Sequence, residues 1–249
     1  MSNLFSKESA LAFLSRRDRQ PELMDQPEVD RDAHRHALDG LRTTNSICRT
    51  AQVIWRGIMD LNIRPTGGQP LRVLDIAAGG GDVLRGVAKL ASEQGVAMEF
   101  HGCDISATAV EYAQCAANRD AVANVGFSRL NALTDPLPTG YDVLMCTLFL
   151  HHLSEVDAIE LLRQMAGAAK RCVIVDDLRR TRFGYFYAWA GGRLITRSHI
   201  VHADGPLSVR AAFTIAEARQ LALDAGLQNA RFRSHWPERF LMSWTKTQL

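Results

Sequence analysis

Five short apolar runs, Leu71 to Ile76, Ala97 to Cys103, Val122 to Leu130, Tyr141 to Thr147 and Arg171 to Val175, alternate with helix-sized segments. No other feature constrains the fold as tightly, because parallel strands need a long crossover between them and a helix supplies it. The alternation predicts an α/β protein on a doubly wound, mostly parallel sheet. The intervening segments agree. Leu84, Val87, Ala88 and Ala91 share a helical face ended by Gly95, Ser106 is placed to cap a helix carrying Val110 and Ala113, and Ser154 opens a third through Leu161 and Met165. Thr214-Ile-Ala-Glu217 has the pattern of a capping box opening a helix that ends near Gly226. Two last runs, Leu227 to Ser234 and Phe240 to Thr245, are separated by a short turn at Pro237, so they should pair antiparallel.

Two stretches fall outside this pattern. Residues 1–64 read as an N-terminal helical cap, with Asp30 or Asp32 capping a helix towards Arg42 and Ile47, Ala51, Ile54, Ile58 and Leu61 at helical spacing after it. A turn over residues 65–70 then leads into a second unit, 65–249, interrupted at 179–212 by an aromatic and basic insertion read as a helical lid. In a chain of 249 residues this describes one α/β domain with added elements. Ten basic residues face nine acidic ones in the first 64, and the whole chain carries a formal charge of +2, so no nucleic-acid partner is expected. Five cysteines without a C-x-x-C pair point neither to a disulfide framework nor to a zinc knuckle; Cys103, Cys146 and Cys172 read as core residues. The longest apolar or small run, Phe183 to Gly192, is about half of the ~20 residues that span a bilayer. Residues 1–20 lack the charged-then-apolar order of a secretory signal, and a cytoplasmic protein is expected.

The richest ten residues are Val73-Leu-Asp-Ile-Ala-Ala-Gly-Gly-Gly-Asp82, a buried strand running into a glycine turn and then a helix. A dinucleotide fingerprint would need a third glycine where Leu84 stands, and no Gly-Lys-Ser/Thr follows to make a phosphate loop. The turn therefore suits a nucleoside ligand without pyrophosphate, and Asp75 beside it can attract a cationic amino group. Asp104, 23 residues after Gly81, ends the second run in position to accept hydrogen bonds from ribose hydroxyls. Asn131 can exchange hydrogen bonds with an adenine edge while Ile105 packs on the base.

On these residues the chain resembles the class I S-adenosylmethionine-dependent methyltransferases over about 71–178 and again in the final helix and strand pair. The D-x-G-x-G-x-G motif of that family matches at Asp75, Gly79 and Gly81, with Ala77 in place of the first glycine, and Asn131 replaces an acidic residue often found there. The resemblance implies a seven-stranded Rossmann-like sheet and S-adenosylmethionine as cofactor. It further implies that Asp75 and the turn (Ala77, Gly79, Gly81) hold the methionine portion, Asp104 the ribose, Asn131 and Ala132 the adenine, and Thr147 the cleft floor.

After the fourth run comes Thr147-Leu-Phe-Leu-His-His-Leu153, and after the fifth Val175-Asp-Asp-Leu178. Histidine titrates near neutrality and is suited to removing a hydroxyl proton. This pairing is similar to that of natural-product O-methyltransferases acting on sugars or phenols, which implies His152 and Asp177 as catalytic residues, with His151 and Asp176 next. Thr147-Leu-Phe-Leu150 is unlike the Asn/Asp-Pro-Pro-aromatic sequence of enzymes that methylate base amines. In the insertion Phe183, Tyr185, Phe186, Tyr187 and Trp189 stand among Arg179, Arg180, Arg182, Arg193 and Arg197, a composition suited to a flat or lipophilic acceptor and to peripheral contact with an anionic membrane. His202 to Gly205 reads as a loop or turn beside it. The expected activity is O-methylation of a phenolic or polyketide-like hydroxyl. C-methylation of a quinone-type ring and cofactor binding without catalysis are the alternatives. Neither histidines nor carboxylates form a local ligand motif, so no metal is expected.

Overall fold

The computed structural model describes residues 13–26, 29–65 and 68–246. Two helices come first, α1 (Arg31–Ile47) and α2 (Thr50–Asp60). The alternating region follows as β1 (Leu71–Ile76), α3 (Asp82–Glu93), β2 (Met98–Asp104), α4 (Ala107–Arg119), β3 (Val125–Arg129), β4 (Val143–Thr147), α5 (Glu155–Ala168) and β5 (Cys172–Leu178). The insertion forms α6 (Arg182–Ile195) and α7 (His199–Ala211), and the chain closes with α8 (Ile215–Asp224), β6 (Arg231–His235) and β7 (Arg239–Thr245).

The seven strands form one sheet in the order β3-β2-β1-β4-β5-β7-β6, parallel from β3 through β5 and antiparallel at β7 and β6. This is the predicted architecture. Order reverses between β1 and β4, and ligands bind at such a crevice beyond the carboxyl ends of the strands. Both faces are covered: Leu74, Ile76, Leu144, Cys146, Val173 and Val175 pack under α5 and α8, while Val73, Val143, Met145 and Ile174 pack under α2 and α3. Burial on both faces is why these strands read as continuous apolar runs rather than as alternating ones.

The caps fall where the sequence places them. Asp30 accepts from the N–H groups of Asp32 and Ala33, Ser106 from Ala109 and Ser154 from Asp157. The first helix runs past Arg42 to Ile47, and the left-handed Arg49 (φ 53°) divides it from α2, so Ile47 belongs to α1 and is exposed. Residues His202 to Gly205 are not a loop but part of α7. In α6 the one buried residue is Gly184, so its aromatics are turned away from the sheet.

Thr214 accepts from the N–H of Glu217, the Glu217 carboxylate accepts from the N–H of Thr214, and the same carboxylate holds the buried Arg180 at 2.6 and 2.9 Å. Thr214→Ala is expected to cost about 1 kcal/mol, or about 2–4 °C in Tm, in thermal melts followed by circular dichroism.

Candidate active site

Asp75 sits inside β1, 2% exposed, and its Oδ1 has no hydrogen-bond partner. Burial, reinforced by the neighbouring Asp82 and Asp104 charges, pushes its carboxyl well above the usual range. The turn beyond it is left-handed at Ala77, Gly79 and Gly81 (φ 54°, 52° and 65°). A Cβ on Gly81 would lie 2.4 Å from the Phe127 ring of β3, so glycine lets the start of α3 lie against that ring. Ala77 adopts the conformation the motif usually assigns to glycine and keeps its side chain at the expense of backbone strain.

Parallel pairing sets the β2 end beside this turn, with Ile76 opposite Cys103. Asp104 accepts from Gly79 N–H at 2.8 Å and Ser106 N–H at 2.9 Å, so it ties the turn to α4 and keeps lone pairs free. Ile105 follows at 56% exposure, a bare apolar face beside the carboxylate. Asn131 spends its side-chain oxygen on the N–H of Leu133, which leaves its amide NH2 as the group available to a base edge. Ala132 is buried, and Thr147 Oγ1 is buried without a partner. Topology thus collects all nine expected cofactor residues along the ends of β1 to β4.

The histidines lie on a 3-10 turn, Leu150–His152, at the far side of the crevice. His151 Nδ1 is 2.6 Å from Asp177 Oδ1, and Asp177 also accepts from the N–H groups of His151 and Leu178. Burial alone would raise the Asp177 carboxyl, but the His151 charge and these hydrogen bonds hold it below the ordinary value. An ionised Asp177 orients the imidazole rather than taking a proton itself. His152 Nδ1 instead meets Asp25 at 2.8 Å. Its burial disfavours the charge, but Asp25 with Glu22 and Asp177 outweighs that and raises the imidazole to about 9. Pairing with Asp25 therefore favours the protonated form of His152.

Asp176 departs from expectation. β5 extends through Leu178, so adjacent residues point to opposite faces, and Asp176 turns away to His235 (Nε2 at 2.5 Å) and the buried Arg239. Arg239 in turn donates to Thr50, which joins the sheet to α2. Arg180, one of the arginines of the basic insertion, does not face outwards but is buried on Glu217 and the Ala212 carbonyl.

Three residues at this site carry no local motif. Glu22 and Asp25 come from the segment before α1, and the buried His34 of α1 lies within electrostatic reach of Asp104 and Asp25. The acidic pair in Pro21-Glu-Leu-Met-Asp25 is the one visible signal in sequence, and it does not name its partner. Arg17 pins the turn from outside, donating to the carbonyls of His151 (2.8 Å) and Leu153 (2.6 Å).

Comparison with known proteins agrees with this geometry. The family described as "Methyltransferase domain" matches residues 73–171. No curated protein sequence matches the chain. An assigned O-methyltransferase from Nostoc punctiforme superposes with a TM-score of 0.63 at 21% identity, covering 98% of this chain and 68% of that one. Magnesium protoporphyrin IX methyltransferase from Synechocystis, solved with bound SAH, gives 0.52 at 17% identity over 98% of this chain and 97% of that one. An O-methyltransferase family 2 protein from Planctomyces limnophilus in complex with apigenin gives 0.54 at 13%, over 80% and 61%. At these identities the likeness establishes a shared fold.

The unpartnered Asp75 carboxylate fits the ammonium of a bound methionine moiety, and opposite effects are expected from Asp75→Asn. Because the folded carboxyl is shifted upwards, its contribution to stability is present at low pH and lost as pH rises through that shifted value. The variant should therefore melt higher than the parent at neutral pH without ligand. Calorimetry should show S-adenosylhomocysteine bound at least about a hundredfold more weakly; unchanged affinity would remove Asp75 from the cofactor site. The strand, its left-handed turn and the two carboxylates at adjacent strand ends lie within or beside a methyltransferase domain matched over residues 73–171, on a fold shared with S-adenosylmethionine-dependent methyltransferases of known structure.

Proposed function

We propose that this methyltransferase acts on oxygen of a small lipophilic or aromatic acceptor, of phenolic or polyketide-like type. The observation that carries this reading is the buried His151–Asp177 pair, joined at 2.6 Å beside the crevice, with His151 Nε2 left without a hydrogen bond. S-adenosylmethionine supplies an electrophilic methyl group: the acceptor O–H proton leaves, the O–C bond forms and the C–S electron pair stays on sulfur. The protein's part is to hold the acceptor in line and away from water, and to help the proton leave. Ionised Asp177 fixes the Nδ1–H tautomer and leaves Nε2, which faces Glu22 at 3.8 Å, as the ring's lone-pair nitrogen. The apigenin complex of the Planctomyces protein supports a planar phenolic acceptor. The citrinin polyketide synthase CMeT domain, at 15% identity and a TM-score of 0.56, keeps C-methylation of a quinone-type or polyketide ring as the second reading.

In this reading the described part of residues 1–64 caps the crevice and 179–212 form a lid that gathers the acceptor. α6 exposes Phe183, Phe186, Tyr187, Trp189 and Leu194 together with Arg182 and Arg193, and Arg197 is exposed just beyond it. Exposed aromatics ringed by arginine suit contact with an anionic lipid surface where a lipophilic acceptor collects. No helix among the described residues is long and apolar enough to cross a membrane.

Turnover across a panel of phenols and quinones, with the product's methyl position read by NMR, tests the reaction. His151→Ala and Asp177→Asn should each lower kcat by about a hundredfold or more while calorimetry shows the cofactor product still bound; near-normal turnover would take the pair out of the mechanism. Co-sedimentation with vesicles containing phosphatidylglycerol should be salt-sensitive and fall several-fold in a Phe183→Ser, Phe186→Ser, Trp189→Ser variant. Equal sedimentation of parent and variant would sink the membrane role.

A further inference from the structure

Glu22, His151 and His152 bring a carboxylate oxygen and two imidazole nitrogens within 4.8 Å of one another, from segments about 130 residues apart. Each imidazole uses Nδ1 on a carboxylate, His151 on Asp177 at 2.6 Å and His152 on Asp25 at 2.8 Å. Both Nε2 atoms are thereby turned towards Glu22, and they face different oxygens of it, 3.8 Å from Oε1 and 3.9 Å from Oε2. These separations are too long for hydrogen bonds. They are close to the spacing that one small cation imposes, since bonds of about 2.1 Å at tetrahedral angles set ligand atoms about 3.4 Å apart.

The surroundings of the three groups match those of metal ligands. A ligating histidine characteristically donates its other ring N–H to a carboxylate, and a ligating carboxylate is itself hydrogen-bonded. Both histidines meet the first condition, and Glu22 meets the second through the Ser208 hydroxyl at 2.6 Å. Three carboxylates, Glu22, Asp25 and Asp177, surround two imidazoles, an excess of negative charge that a divalent cation would offset in large part. The nearest arginines are spent on the turn's backbone, Arg17 on the His151 and Leu153 carbonyls and Arg19 on that of His152. Glu22 and His151 are buried, and His152 is partly so, which leaves an open side for a further ligand.

We infer that Glu22, His151 and His152 form a divalent-metal site of two imidazoles and one carboxylate, with Asp177, Asp25 and Ser208 as its outer partners. Zinc suits this donor set, and the coordination positions left over are open to an acceptor oxygen. A hydroxyl bound there would lose its proton to solvent more readily. That catalytic use rests on the O-methylation reading above, whereas metal binding itself does not. The sequence predicts no metal because a local motif cannot join residue 22 to residues 151 and 152.

The test uses the full chain with any affinity tag removed, stripped by a chelator and titrated with cobalt(II) while its visible absorption is followed, then with zinc by calorimetry. A single saturable site is expected, with d–d bands of a four- or five-coordinate ion that zinc abolishes. Glu22→Gln and His152→Ala should each weaken binding at least about tenfold, Asp25→Asn should weaken it to a lesser degree, and exposed His36→Ala should leave it unchanged. No saturable cobalt or zinc binding, or equal binding in Glu22→Gln and His152→Ala, would overturn the site. Calorimetry with S-adenosylhomocysteine on the same samples reports the cofactor reading separately. Turnover indifferent to stripping would defeat the catalytic use while cobalt binding still upheld the site.

Discussion

An ionised carboxylate carried into a protein interior costs several kcal/mol unless a partner meets it there. Four aspartates enter the carboxyl edge of this sheet, and the site is organised by how each is satisfied. Asp177 takes an imidazole and two backbone N–H groups. Asp176 takes a guanidinium and another imidazole on the opposite face. Asp104 takes the N–H groups of the two turns that flank it. Asp75 Oδ1 is buried with neither a hydrogen bond nor an ion pair. Burial favours its protonated form, and a positively charged ligand is the group that would draw out its carboxylate.

The other half of the site does not come from the sheet. Glu22 and Asp25 reach the histidine turn from the chain's first described segment, and α1 lays Leu38 beside the glycine turn and His34 near Asp104. The insertion holds that segment in place: Asp204 of α7 accepts from the N–H groups of Leu23 and Met24, and Ser208 reaches Glu22. The histidine turn is thus walled by elements added to both ends of the alternating core.

What the sequence discloses follows from this division. Asp75, the glycine turn and Asp104 are readable because strand, turn and helix are contiguous, and one local pattern carries both geometry and chemistry. Thr214, Ser106 and Ser154 are readable for the same reason, since a cap acts within three residues. Asp176 and Asp177 are adjacent in sequence and look equivalent until β5 is known to run through them; the two-residue period of a strand then separates them. Glu22, Asp25 and His34 are hidden because their partners are determined by tertiary packing. Arg180 is hidden likewise, as nothing near residue 180 reveals that Glu217 and Ala212 will enclose it.

The Asp204 latch joins parts of the chain that are remote in sequence. Residues 23 and 24 close a ring through α7 some 180 positions later, and that ring borders the histidine turn. The leading segment and the insertion are consequently one structural unit. A chimaera that exchanges either of them alone with a distant relative would inherit an intact cofactor crevice and a broken wall opposite it, so acceptor range in such proteins should travel with the pair.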